Sequence, residues 1–242
     1  EEDDPAGAQR IYEELLPIWR RSPEPEHPQA LMAMNNLALA YLRQGRPAEA
    51  QELCEELLPV LRRVRGPGHP GTLKTMNILA NALLDQGKPS EAQQLFEAAL
   101  ATSQLELGPE HPGTLMTMSS LARTSLDQGK PAEARELCEK ILPDMQRVLG
   151  PEHPATLGTM DNLAVAISGQ DRDAEAEELH NEILEIRRRV LGPEHPDTLQ
   201  SILNCCKSAF RQGQYDKAEQ MSRDAVALHR RVLGPEHPET LI

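Results

Sequence analysis

The sequence predicts an all-α fold of the solenoid class, built from tandem helix-turn-helix pairs. Three observations carry this. The stretch LGPEHPDTL at 191–199 recurs as RGPGHPGTL at 65–73, LGPEHPGTL at 107–115, LGPEHPATL at 149–157 and LGPEHPETL at 233–241, with a degenerate copy, PEPEHPQAL, at 23–31. Its histidines, His27, His69, His111, His153, His195 and His237, are all spaced by 42 residues, and a fixed period of this size marks stacked supersecondary units. Between the motifs, apolar residues recur three or four apart, the period of an α-helix with one buried face.

The elements follow in order. Residues 1–28 hold a half unit, with a second helix over about Pro5 to Arg20. Full units follow at 29–70, 71–112, 113–154, 155–196 and 197–238, and 239–242 begin another, which gives about eleven helices in one solenoid domain. In 113–154 the first helix covers about Thr114 to Asp127, with Leu115, Met118, Leu121, Ala122 and Leu126 on one face. Gly129 supplies a left-handed cap and Pro131 opens the second helix, which places Ala134, Leu137, Cys138, Ile141 and Leu142 on its apolar face. The recurring motif is punctuation: Gly192 and Pro193 end one helix, Pro196 starts the next, Glu194 and Asp197 lie at its positive end, and Thr198 is placed to help cap it. Unit four has Asp171 where the others have a helix-ending glycine, so its turn is expected to differ. Unit five has Cys205-Cys206 where the others have Leu-Ala. Pro17, Pro59 and Pro143 fall inside second helices, where kinks are expected. Because the chain starts and stops within a unit, it is expected to be a segment of a longer array.

Composition excludes several classes of function. A formal net charge of −13 argues against general binding to nucleic acid or to an anionic membrane. No apolar run approaches the roughly 18 residues of a spanning helix. The acidic start EEDDP is neither a signal nor a transit peptide, and four cysteines without framework spacing suggest a reducing compartment, hence the cytoplasm. No nucleophile, P-loop or metal motif occurs: Gly87-Lys88 and Gly129-Lys130 are followed by proline and read as turns. Motif histidines on stacked units stand at least about 8–10 Å apart and cannot share a metal. Neither a cofactor nor a metal is expected. Cys54, Cys138, Cys205 and Cys206 read as buried thiols and Met34, Met76, Met118 and Met160 as core.

Leu37-Ala38, Tyr41, Gly45 and Ala50 resemble the signature of tetratricopeptide repeats, and the 42-residue form is similar to the repeats of kinesin light chains. The residues that carry this are Asn36-Leu37-Ala38, Gly45 and Glu49-Ala50, and again Asp161-Asn162-Leu163-Ala164, with Leu191-Gly192 and His195-Pro196 closing the linker. The resemblance implies a right-handed superhelix with its first helices on the concave side. It also implies a non-enzymatic interaction scaffold that holds a peptide or helical segment of a partner, as a cargo adaptor does. The alternative is a sensory or regulatory array whose catalytic domain lies outside this chain. End-to-end association of copies through core-type residues such as Leu241 is also expected.

On that reading the groove is lined by Asn35, Asn36 and Arg43, then Lys74, Asn77 and Asn81, then Arg123, Asn162, Asn204, Lys207 and Arg211. A carboxamide both donates and accepts, so a row of asparagines can grip an extended backbone. The rival reading is that the asparagines tie adjacent first helices together. Across the face the bases Arg43, Lys74, Arg123, Lys207 and Arg211 outnumber the acids Asp85, Asp127 and Asp161, which favours a ligand with acidic residues beside an apolar anchor.

Overall fold

The structure, a computed structural model, describes Glu14, Pro17 and residues 27–232, without the side chains of His229, Arg231 and Val232. Apart from Glu14 and Pro17, the helix expected over Pro5 to Arg20 lies outside the described residues, as do the motif at 233–241 and the unit beginning at 239. Ten helices are described: α1 Pro28–Arg43, α2 Pro47–Arg65, α3 Pro70–Asp85, α4 Pro89–Glu106, α5 Pro112–Asp127, α6 Pro131–Val148, α7 Pro154–Ser168, α8 Asp173–Val190, α9 Pro196–Arg211 and α10 Tyr215–Val232. Two compact units are distinguished, Glu1–Gln128 and Gly129–Ile242.

The linker histidine, and not the threonine, caps each first helix. Nδ1 of His27, His69, His111, His153 and His195 accepts the backbone N–H two residues on, at 3.3, 3.0, 3.1, 3.2 and 3.1 Å. Each satisfies one of the donors that a helix start leaves orphaned, and proline occupies the first turn, where no donor is needed. The threonine has a different task. The hydroxyls of Thr72, Thr114 and Thr156 donate to the carbonyls of Gly66, Gly108 and Gly150 at 2.8 Å, closing the linker. Thr198, the expected cap, is buried, and its hydroxyl has no hydrogen-bond partner among the described residues.

The turn of unit four is the same turn. Gly45, Gly87, Gly129 and Gly213 take φ of 68, 72, 71 and 74°, and Asp171 takes 60° at the equivalent place. Its N–H donates to Ser168 O at 3.1 Å, as Gly45 N–H donates to Leu42 O at 3.0 Å. The expectation of a different turn is therefore corrected: the fold holds an aspartate in the left-handed region, which Asp tolerates better than most residues. α2 and α6 run unbroken through Pro59 and Pro143, which have no N–H to offer the carbonyls four residues back.

In the first unit, Leu31, Met34, Leu37, Ala38 and Tyr41 of α1 pack with Leu53, Cys54, Leu57, Leu58 and Leu61 of α2 and with Leu73, Met76 and Leu79 of α3. Each buried leucine contributes about 2 kcal/mol of transfer free energy, and no single helix pair could bury this face alone. In the second unit Leu184 of α8 packs with Leu199, Ile202, Cys205 and Cys206 of α9 and Ala225 of α10. Met34, Met76, Met118 and Met160 are all buried. So are the four cysteines, and burial pushes the thiols of Cys54, Cys138 and Cys205 up to about 12.

Candidate functional site

In the first unit α1 packs on α3 and α3 on α5, with no comparable packing of α2 on α4. The first helices thus form the tighter layer, and the asparagines sort by what they do in it. Asn35 is 4% exposed: its amide donates to Gly71 O at 3.2 Å and its carbonyl accepts from Thr75 Oγ1 at 2.8 Å. Asn77 repeats the tie one unit on, donating to Thr117 Oγ1 at 2.9 Å. These two hold helix to helix, and burial closes Asn35 to a ligand. Asn81 is part-buried and donates to Asn77 O at 2.8 Å. Asn36 accepts from Lys74 Nζ at 3.0 Å on the surface.

Between these helices lies a hollow of about 300 Å³. Leu39, Leu42, Ile78 and Met116 give it apolar walls, and Lys74, Asn77 and Asn81 lie along its rim. Met116 is 48% exposed, which for a large apolar residue leaves surface to cover. Burial, then the charge of Arg43, lowers the pKa of Lys74. Arg123 pairs with Asp85 at 2.9 Å, a partly exposed pair of modest net value.

In the second unit the tie takes another form. Asp161 Oδ2 receives Arg187 Nη2 at 2.7 Å, and Arg187 Nη1 donates to Ser201 Oγ at 2.7 Å. His180, 4% exposed, brings its Nδ1 to 3.6 Å from Asp161 Oδ1, while Asn204 donates to that oxygen at 3.3 Å. Asp161 and Asn204 thus join a buried polar network across α7, α8 and α9. Arg211 bridges to Asp173 at 3.2 Å and donates to Ser168 O. Asn162 is half-buried. Lys207 is exposed and lines a cleft with Phe210 and Tyr215, whose rings meet edge to face at 5.4 Å. Two residues were not anticipated from the sequence: Leu42 in the wall of the hollow and Arg187 in the polar network. The signal for Arg187 was present, because Leu61, Ser103 and Met145 occupy the equivalent place in earlier units.

Among the described residues no group of three His, Cys, Asp or Glu could hold a metal ion, and no helix is long and apolar enough to cross a membrane. Paired helices with tight layers of first helices define a class, and comparison identifies it. Tetratricopeptide-repeat profiles match residues 1–53, 30–104 and 79–135, and a second such profile matches 156–197 and 207–239. The chain belongs to the tetratricopeptide-repeat family, and its repeats are of the kinesin light chain-like type. The crystal structure of a Podosopora anserina putative kinesin light chain with nearly identical TPR-like repeats is 30% identical, covering 85% of this chain and 97% of that one, with a TM-score of 0.62. A substituted form of those repeats is 28% identical over 87% and 98%, with a TM-score of 0.64. BtubC (BKLC) from P. vanneervenii shares the fold at 21% identity over 98% and 93%, with a TM-score of 0.67. The comparison with curated proteins gave no match.

Proposed function

We propose that this chain is a non-enzymatic, cytoplasmic interaction scaffold that holds a peptide or helical segment of a partner protein against its first helices. The observation that carries this is the hollow walled by Leu39, Leu42, Ile78 and Met116 with carboxamides and Lys74 at its rim. It combines an apolar anchor site with groups that satisfy a backbone, the usual composition of a peptide site. The bases Arg43 and Lys74 on an acidic chain favour a partner with Asp or Glu beside the anchor. Likeness to kinesin light chain repeats supports an adaptor role. Asn36, Asn81, Asn162, Lys207 and Arg211 are the further groove contacts on this reading, with Asn35, Asn77, Asn204 and Arg123 positioning the helices that carry them.

The test is capture from lysate with mass-spectrometric readout, comparing the native chain with a variant carrying Lys74→Glu and Met116→Asp. Circular dichroism first establishes that both are equally helical. Partners retained by the native chain and lost by the variant support the groove. Identical partner sets move the interaction to another surface.

A further inference from the structure

The first-unit groove carries charges that the fold leaves unmatched, and they differ in sign from one side to the other. On the α1 side Arg43 is exposed with no carboxylate paired to it among the described residues, and the nearby Lys74 meets only the neutral Asn36 carbonyl. On the α5 side Asp127 lines a cleft of about 480 Å³ with Leu84, Asp85 and Arg123, and no cation among the described residues pairs with it. Arg123 gives its short contact to Asp85 instead. Burial raises the pKa of Asp127, Arg123 lowers it less, and Asp85 adds to the rise. The Asp127 carboxylate is therefore short of positive charge, as Lys74 is short of negative charge. Lys74 itself lines the apolar hollow, and Met116, at the α5 edge of the hollow, stands eleven residues, about 16 Å of helix, before Asp127.

Building on the groove reading above, we propose that the groove reads a peptide in one direction. An acidic side chain sits over Arg43 and Lys74, apolar side chains fill the hollow of Leu39, Leu42, Ile78 and Met116, and a basic side chain sits over Asp127. The spacing fits a short segment. First helices packed at about 8–10 Å put α1 and α5 some 16–20 Å apart, and Asp127 lies about 16 Å further along α5 than Met116, so the diagonal is about 25 Å, which about seven or eight residues cover at roughly 3.3 Å each. The reversed order would bring like charges together at both ends, and this repulsion is what fixes polarity. The partner is thus a bipolar segment, acidic then apolar then basic along the groove, not a uniformly acidic one.

The experiment is selection of phage-displayed random 12-residue peptides on the purified native chain, with Arg43→Glu and Asp127→Lys selected in parallel. Asp127→Asn serves as the variant of least structural risk, and unchanged melting temperatures confirm folding. The expected result on the native chain is a shared pattern of Asp or Glu, an apolar pair, then Lys or Arg, always in the same chain direction. Asp127→Lys should exchange the basic position for an acidic one. Arg43→Glu should do the opposite at the other end. A consensus peptide should lose about tenfold or more in affinity to either charge swap. Peptides that compete at the hollow but show no fixed charge order would overturn the directional reading and leave the groove standing. Failure of any peptide to be enriched would overturn both.

Discussion

At the scale of the residue, one imidazole per linker starts a helix, and it can do so only as the neutral ring with Nδ1 unprotonated. Replacing His111 with alanine removes an acceptor for the Gly113 N–H and is expected to cost about 1 kcal/mol, whereas His111→Asn, which supplies a side-chain oxygen, should cost only a few tenths. Urea unfolding of the two variants checks this, and equal losses would mean that the imidazole acts through packing alone. His69 adds a pH dependence, because burial first and the Arg65 charge second lower its pKa. A group whose folded pKa is depressed contributes stability above its unfolded value, near 6.5 for histidine, and loses it as pH falls through the folded value. Native protein should therefore lose stability as pH falls below about 6.5, and His69→Asn should flatten that slope. Asp171 is the complementary case, a side chain in a glycine conformation at φ 60°. Asp171→Gly should stabilise the chain by about 0.5–1 kcal/mol through relief of left-handed strain. A loss on thermal melting would show that the carboxylate does more than tolerate the turn.

At the scale of the element, polar ties join the first helices, and the more deeply set tie is built in two ways. Asn35 with Thr75 and Asn77 with Thr117 use neutral pairs, while Asp161, Arg187 and Ser201 use a buried ion pair. Removing one member of a buried pair strands the other, so Asp161→Ala is expected to cost about 3–5 kcal/mol. The double variant Asp161→Ser with Arg187→Met copies the residues found at 119 and 145, where Thr159 already meets the Met145 sulfur at 3.0 Å. It should be no less stable than the native chain in the same denaturant titration. A double variant as weak as Asp161→Ala would show that the pair is needed as a pair. The ease of reading this protein from its sequence has the same origin. Glycine, proline and the helical period are local and repeat at a fixed spacing, so the helices and their ends were legible. A side chain's task depends on its neighbour about 40 residues away, so spacing alone could not separate Asn35, spent on a helix tie, from Asn36, left at the surface. Asp161 and Arg187 depart from their repeat positions together, and only the folded geometry shows that the two departures meet.

At the scale of the whole molecule, the packing is chiefly between neighbours in sequence order, α1 on α2, α2 on α3, and likewise from α6 through α10 within the second unit, with first helices also meeting first helices in the first unit. In such an arrangement stability is a sum of unit and nearest-neighbour terms, so an injury stays near its origin unless the interfaces are strong enough to spread it. Hydrogen exchange measures this directly, because it reports the opening free energy of each segment separately. In Asp161→Ala, amides of α7, α8 and α9 should exchange faster by the full loss of the ion pair. Those of α1 to α4 should keep native protection, and thermal unfolding should no longer be a single two-state transition. A uniform rise in exchange along the chain would mean that the molecule unfolds as one cooperative body. The first-helix face could then not rearrange around a partner in one unit without the other. Local opening would instead let one unit rearrange while the other keeps its protection, and this is the behaviour the stacking of short, sequence-adjacent elements leads us to expect.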